Sequence, residues 1–173
     1  MRDTTHDLSV DIQQGDKLHI LSVNMNRSNY KLISLLETTN ANCVLVQEPW
    51  WGSLIPRHSD RDPEGETSLG TVNHPAWTPF VPSLLSSPDS QPQVITFIRK
   101  HILSSCSITP LNGLSFYDLL GVSIQTPTFH IHLINFYHHV QRHHGNLSHL
   151  LDCLPDASSP ILLAGDFNMH FNT

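Results

Sequence analysis

Apolar residues along the chain fall into short runs bounded by turn-forming residues, a pattern that marks strands. Six such runs stand out: 18–23 (LHILSV), 43–47 (CVLVQ), 94–99 (VITFIR), 119–125 (LLGVSIQ), 129–136 (FHIHLINF) and 161–165 (ILLAG). Pro49 stops the second by removing a ladder donor. A helical period appears over 28–38, where Leu32, Leu35 and Leu36 recur at i, i+3 and i+4. It appears again over 146–154 (NLSHLLDCL), with Asn146 as a cap and Pro155 as a stop. Strand, helix and strand within 18–47 predict a parallel pair with a right-handed crossover. The short turn Thr126-Pro127-Thr128 predicts a hairpin between the fourth and fifth runs, so the sheet is expected to be mixed.

Two stretches break this rhythm. Residues 1–17 read as a loose polar tail before a single domain over 18–173. Residues 49–93 hold eight of the twelve prolines and all three tryptophans, Trp50, Trp51 and Trp77. A connection that long is functional or disordered, and its aromatic content argues against full disorder. Tryptophans there serve either to anchor the loop to the core or to stack on bases. No internal repeat is present.

The 173 residues suffice for one domain with a substantial core, and the net charge is −6. With no block of Lys or Arg, nucleic-acid binding by whole-molecule steering is disfavoured, although local contacts plus a metal ion are not. Arg99, Lys100 and Arg142 are expected to be ordinary solvated charges. Cys43, Cys106 and Cys153 lie far apart without a CxxC pair, as reduced thiols of an intracellular protein do. No apolar run approaches the roughly 18 residues of a membrane helix, and the start lacks a secretory apolar region. The expectation is a soluble intracellular protein with no membrane partner.

Candidate chemistry gathers where runs end. The first run delivers Asn24-Met25-Asn26, the second Gln47-Glu48, and the last, PILLAGDFN, Asp166 and Asn168. Side chains at i and i+2 of an extended segment share a side, so Asp166 and Asn168 are expected to act on one ligand. The ligand crevice of an open α/β sheet lies at the carboxyl ends of its strands. Carboxylates and carboxamides are hard oxygen donors, suited to Mg²⁺ (with Mn²⁺ as the alternative ion) rather than zinc. Asn26 serves equally well as a cap for the 28–38 helix.

Seven of the thirteen histidines fall within 130–149. His130 and His132 share a strand face that a metal can bridge, and His139 and His143 have i, i+4 spacing, but no motif completes a zinc set. Composition drift on a solvated loop is the preferred reading. A GxSxG elbow and a phosphate-binding P-loop are both absent.

Four motifs in order, LSVNMN (21–26), VLVQEPW (44–50), INFYHH (134–139) and LLAGDFNMH (162–170), resemble the endonuclease/exonuclease/phosphatase superfamily. QEPWW, HPAWTPF and VITFIRK are similar to the endonuclease domain of fungal non-LTR retrotransposons. The resemblance implies a four-layer α/β sandwich with mixed β-sheets and Mg²⁺-dependent cleavage of DNA phosphodiesters. It further implies Glu48 as the main metal ligand, aided by Asn24 with Asn26 nearby. Tyr137 would hold the scissile phosphate, Asp166 would orient or deprotonate the attacking water, and Asn168 would hold the phosphate as it becomes pentacoordinate. Asn26, Tyr137 and Asn168 would thus be the substrate-binding residues. A reverse transcriptase domain as partner and a nuclear location are implied in the same way.

The family pattern continues past the GDFN strand to further strands and a closing Asp-His pair, whereas this sequence stops at Thr173. His170 lies too near that strand to replace the pair. The expectation is therefore an incomplete sandwich whose last strands are missing, weakly stable through an exposed inner face, with little or no turnover. Two alternatives follow: an inactive relic that binds DNA or a partner, and a phosphatase acting on a small phosphorylated substrate.

Overall fold

The computed structural model describes residues 5–13, 16–54, 68–83, 90–127, 129–138, 154 and 159–168. In chain order they form β1 (Thr5–Gln13), β2 (Asp16–Asn24), α1 (Asn29–Thr38), β3 (Cys43–Gln47), β4 (Gly52–Leu54), β5 (Ser68–Gly70) and β6 (Trp77–Phe80). There follow β7 (Val94–Arg99), α2 (Lys100–Leu103), β8 (Ser107–Phe116), β9 (Leu119–Gln125), β10 (His130–Tyr137) and β11 (Ile161–Asp166).

Two mixed sheets make the body, one ordered β1-β2-β3-β7-β6 and one ordered β11-β10-β9-β8, with β4 and β5 as a separate ribbon. Alternation along each strand sorts its side chains. Leu18, Ile20, Cys43, Leu45, Val94 and Ile98 face Leu120, Val122, Ile124, Ile131 and Leu133 in the core between the sheets. The intervening residues of the five-stranded sheet, Val23, Val44, Val46, Ile95 and Phe97, pack outward with Leu32 and Leu36 of α1. Leu114, Leu119, Ile134 and Phe136 form a third cluster, on which Leu154 and Ile161 pack. Apart from Leu154, the helix expected over 146–154 lies outside the described residues.

β2 and β3 are parallel around α1, and β9 and β10 are an antiparallel hairpin, as the apolar runs predicted. The 1–17 segment departs from expectation. It is not a loose tail: Thr5–Gln13 is an edge strand antiparallel to β2, with Leu8 and Val10 against the core. Polar residues alternate with those two because an edge strand shows its other face to water.

Within the Trp-rich stretch, Trp77 is 1% exposed and its indole N–H donates to the Leu36 carbonyl at 2.9 Å. Arg99 lies 4.6 Å over that ring and donates to the Ala41 and Thr39 carbonyls, so it serves structure and is not an ordinary solvated charge. Trp50 and Trp51 pack partly against the same cluster. The anchoring reading therefore describes Trp77 fully and its neighbours in part.

Candidate active site

Two parallel pairings bring the polar strand ends together. Asn24 of β2 is level with Gln47 of β3, and Tyr137 of β10 is level with Asp166 of β11. Both pairs end at the same rim of the sandwich, one on each sheet, and hydrogen bonds join them. The Asn24 amide donates to Asp166 Oδ2 at 2.9 Å, and the Tyr137 hydroxyl donates to Glu48 Oε1 at 2.9 Å. Each bond spans the two sheets, so Glu48 and Asp166 flank one phenol.

The electrostatics agree with that placement. Burial above all, then the hydrogen bond to Glu48 and the charges of Glu48 and Asp166, push the Tyr137 phenol up to about 12, partly offset by a bond from Asn168. The hydroxyl therefore stays protonated and keeps donating across the neutral range.

Backbone shape sets the rest. Glu48 has φ 44° and Asn168 φ 43°, in the left-handed region that non-glycine residues seldom adopt. The Glu48 N–H donates to the Gln93 carbonyl at 2.9 Å and its own carbonyl accepts from the Arg27 N–H at 2.8 Å, which holds the turn. β11 ends at Asp166, so the extended i, i+2 argument for Asn168 fails. A turn joins them instead: the Asn168 N–H donates to Asp166 Oδ1 at 3.0 Å, and its side-chain amide donates to the His138 carbonyl at 2.7 Å. Asn26, at φ 47°, donates its backbone N–H to Asn24 Oδ1 at 2.9 Å. It does not cap α1; Ser28 does, through a 3.3 Å bond from Lys31 N to its hydroxyl.

Beneath the rim lies a polar device that the run pattern hid. Gln47 and Asn135 are 2% and 0% exposed, and the Gln47 amide donates to Asn135 Oδ1 at 2.7 Å. The Asn135 amide in turn donates to the Val46 and Ile95 carbonyls, both at 3.1 Å, locking β10 to β3 and β7. Polar residues at positions where alternation predicts apolar ones were the available signal. A second missed residue is His6. On β1 it is level with Ser22, and it lines a cavity of about 140 Å³ with Ser22, Asn24, Gln47 and Asp166.

Glu48 and Asp166 with the Asn24 carbonyl present hard oxygens, and Mg²⁺ ordinarily takes one or two carboxylates while keeping several waters. This donor set fits such an ion. No group of three or more His, Cys, Asp or Glu that could hold a metal occurs among the described residues. His130 is engaged by Ser123 and Ser159, each at 2.7 Å, and its ring meets His132 edge-on at 4.5 Å. His139, His143 and His170 lie outside the described residues. No helix among the described residues is long and apolar enough to cross a membrane.

Comparison with known proteins agrees with this architecture. No match is found among curated proteins. Among solved structures, the chain is similar to the endonuclease domain of TRAS1, a telomere-specific non-LTR retrotransposon, at 15% identity and a TM-score of 0.62. The similarity covers 87% of this chain, and the chain spans 60% of the length of that domain. At that identity the likeness establishes the fold, a mixed-sheet α/β sandwich. The model of the endonuclease/exonuclease/phosphatase family matches residues 21–172, nearly the whole sequence, and all the polar strand ends described above fall inside it. The chain belongs to the endonuclease/exonuclease/phosphatase family.

Proposed function

We propose that the chain hydrolyses phosphodiester bonds of DNA with Mg²⁺, Mn²⁺ being the alternative ion. One observation carries this reading: the bonds Asn24–Asp166 and Tyr137–Glu48, each 2.9 Å, draw carboxylates from the two sheets to one phenol. When bound, the ion supplies charge neutralisation at the phosphate oxygens. Glu48 is its main ligand and Asn24 assists. Asp166, oriented by Asn24 and by the Asn168 N–H, accepts a proton from the attacking water. The new P–O bond forms from that water as the bond to the leaving oxygen breaks, and the leaving oxygen takes a proton from solvent.

Tyr137 would turn its single O–H from Glu48 to the phosphate once the ion engages that carboxylate, Asn168 donates the amide hydrogen left over from its bond to the His138 carbonyl, and Asn26 fixes the Asn24 carboxamide through its N–H. The Asn24 and Asn168 carboxamides, already tied down by neighbours, cost little reorganisation during reaction. In this reading the chain works beside a reverse transcriptase, on nuclear DNA. The test is nicking of supercoiled plasmid with Mg²⁺. Wild-type nicking that EDTA abolishes and Glu48→Gln lowers by about 10²-fold or more supports the reading. DNA retardation without cleavage marks a binding fragment instead, and release of inorganic phosphate without strand scission marks a phosphatase.

A further inference from the structure

β1 brings to the site a side chain that the reaction as described does not use. Leu8 and Val10 of this strand pack against the core between the sheets, and side chains two apart share a face, so His6 points inward with them. The register sets His6 opposite Ser22, which makes Asn24, further along β2 on the same face, its diagonal neighbour at the rim. His6 accordingly lines the cavity of about 140 Å³ whose wall also carries Ser22, Asn24, Gln47 and Asp166. Of the residues that line this space, His6 alone has a basic side chain and Asp166 alone an acidic one. His6 lies before residues 21–172, the span the family model matches, so the family motifs assign it no role.

We propose that His6 is a further substrate-contacting residue, whose imidazole donates a ring N–H to a non-bridging oxygen of the phosphate held beside Asn24 and Asp166. The inference rests on the nuclease reading and adds to it a contact from the edge strand. A phosphate drawn toward Asp166 meets a like charge, and a donor reaching in from the other sheet offsets that repulsion. Imidazole suits the task because it keeps at least one N–H in both of its protonation states. The Gln47 amide is committed to Ser22, the Leu45 carbonyl and Asn135, and one Asn24 amide hydrogen to Asp166. Ser22 and Gln47 are also buried, whereas His6 is exposed at the mouth, where a strand arriving from solvent meets it first.

The experiment is Mg²⁺-dependent nicking of supercoiled plasmid by the whole chain, with a thermal melt and a Mn²⁺ affinity measured for each variant. His6→Ala is expected to lower kcat at least about tenfold while its melting temperature and Mn²⁺ affinity equal those of wild type. His6→Gln, which keeps an N–H near the same place, should recover part of the loss. Ser9→Ala, on the opposite face of β1, should nick at the wild-type rate. Nicking by His6→Ala at the wild-type rate overturns the inference alone. So does a loss accompanied by weaker Mn²⁺ binding or a lower melting temperature, which would make His6 a support for the ion or the fold. A wild-type chain that does not nick overturns the nuclease reading and this inference with it.

Discussion

At the level of single residues, the site depends on groups whose partners lie far away in the chain. Asn135 is the clearest case. Replacing it by alanine removes the donor to the buried Val46 and Ile95 carbonyls and one acceptor of the Gln47 amide, which keeps Ser22 and the Leu45 carbonyl. Orphaning buried polar groups costs about 1–3 kcal/mol each before relaxation. Urea unfolding of Asn135→Ala should therefore show a loss of about 3 kcal/mol, and an unchanged midpoint would contradict the bracing role given to Asn135. Cys43 offers a second check. Burial, and secondarily the nearby Cys106, raise its thiol to about 12. At about pH 8 an alkylating reagent should modify Cys106, which is partly exposed, and spare Cys43 in the folded protein. Glu48, Asp166 and Asn24 were legible in the sequence as candidates because each closes an apolar run, and Tyr137 only through the INFYHH motif that carries the family resemblance. The left-handed turns at Glu48 and Asn168 were not, since neither residue is the glycine that usually announces such a backbone.

The elements explain why the site residues stay level with one another. Gly165 pairs with Phe136, and a Cβ added there would lie 1.8 Å from the Phe136 carbonyl oxygen, which is rigid backbone. Gly165→Ala should force β11 away from β10, costing about 3 kcal/mol and displacing Asp166. Thermal melts read the stability loss, and a melting temperature equal to wild type would show that the strands can part freely. On β10, burial and then the neighbouring His130 hold the His132 imidazole below its usual range. A depressed folded value means that its stabilising effect is complete above about pH 6.5 and fades as pH falls through the folded value. His132→Gln should accordingly show a shallower fall in melting temperature than wild type between about pH 7.5 and pH 5. β3 and β7 match the sequence expectation residue for residue because they are central and apolar on both faces. β8 escaped notice since Pro110 and Gly113, at φ 84°, interrupt it; both sit where its register with β9 slips at the sheet edge.

For the whole molecule, the fold is a means of bringing two distant carboxylates to one place. Residues 48 and 166 are separated by most of the domain, yet Tyr137 feels both. The mixed sheets and the order of motifs were readable from sequence, whereas the depth of the carboxamide brace and the reach of β1 into the site depend on how the sheets face each other. The central claim is that Glu48 and Asp166 act as one centre for a divalent ion. Paramagnetic Mn²⁺ titration followed by electron spin resonance measures this directly and needs no turnover. The wild-type chain should bind a single Mn²⁺, with affinity reduced at least about tenfold by Glu48→Gln and by Asp166→Asn. Mn²⁺ binding that both substitutions leave unchanged would contradict the account.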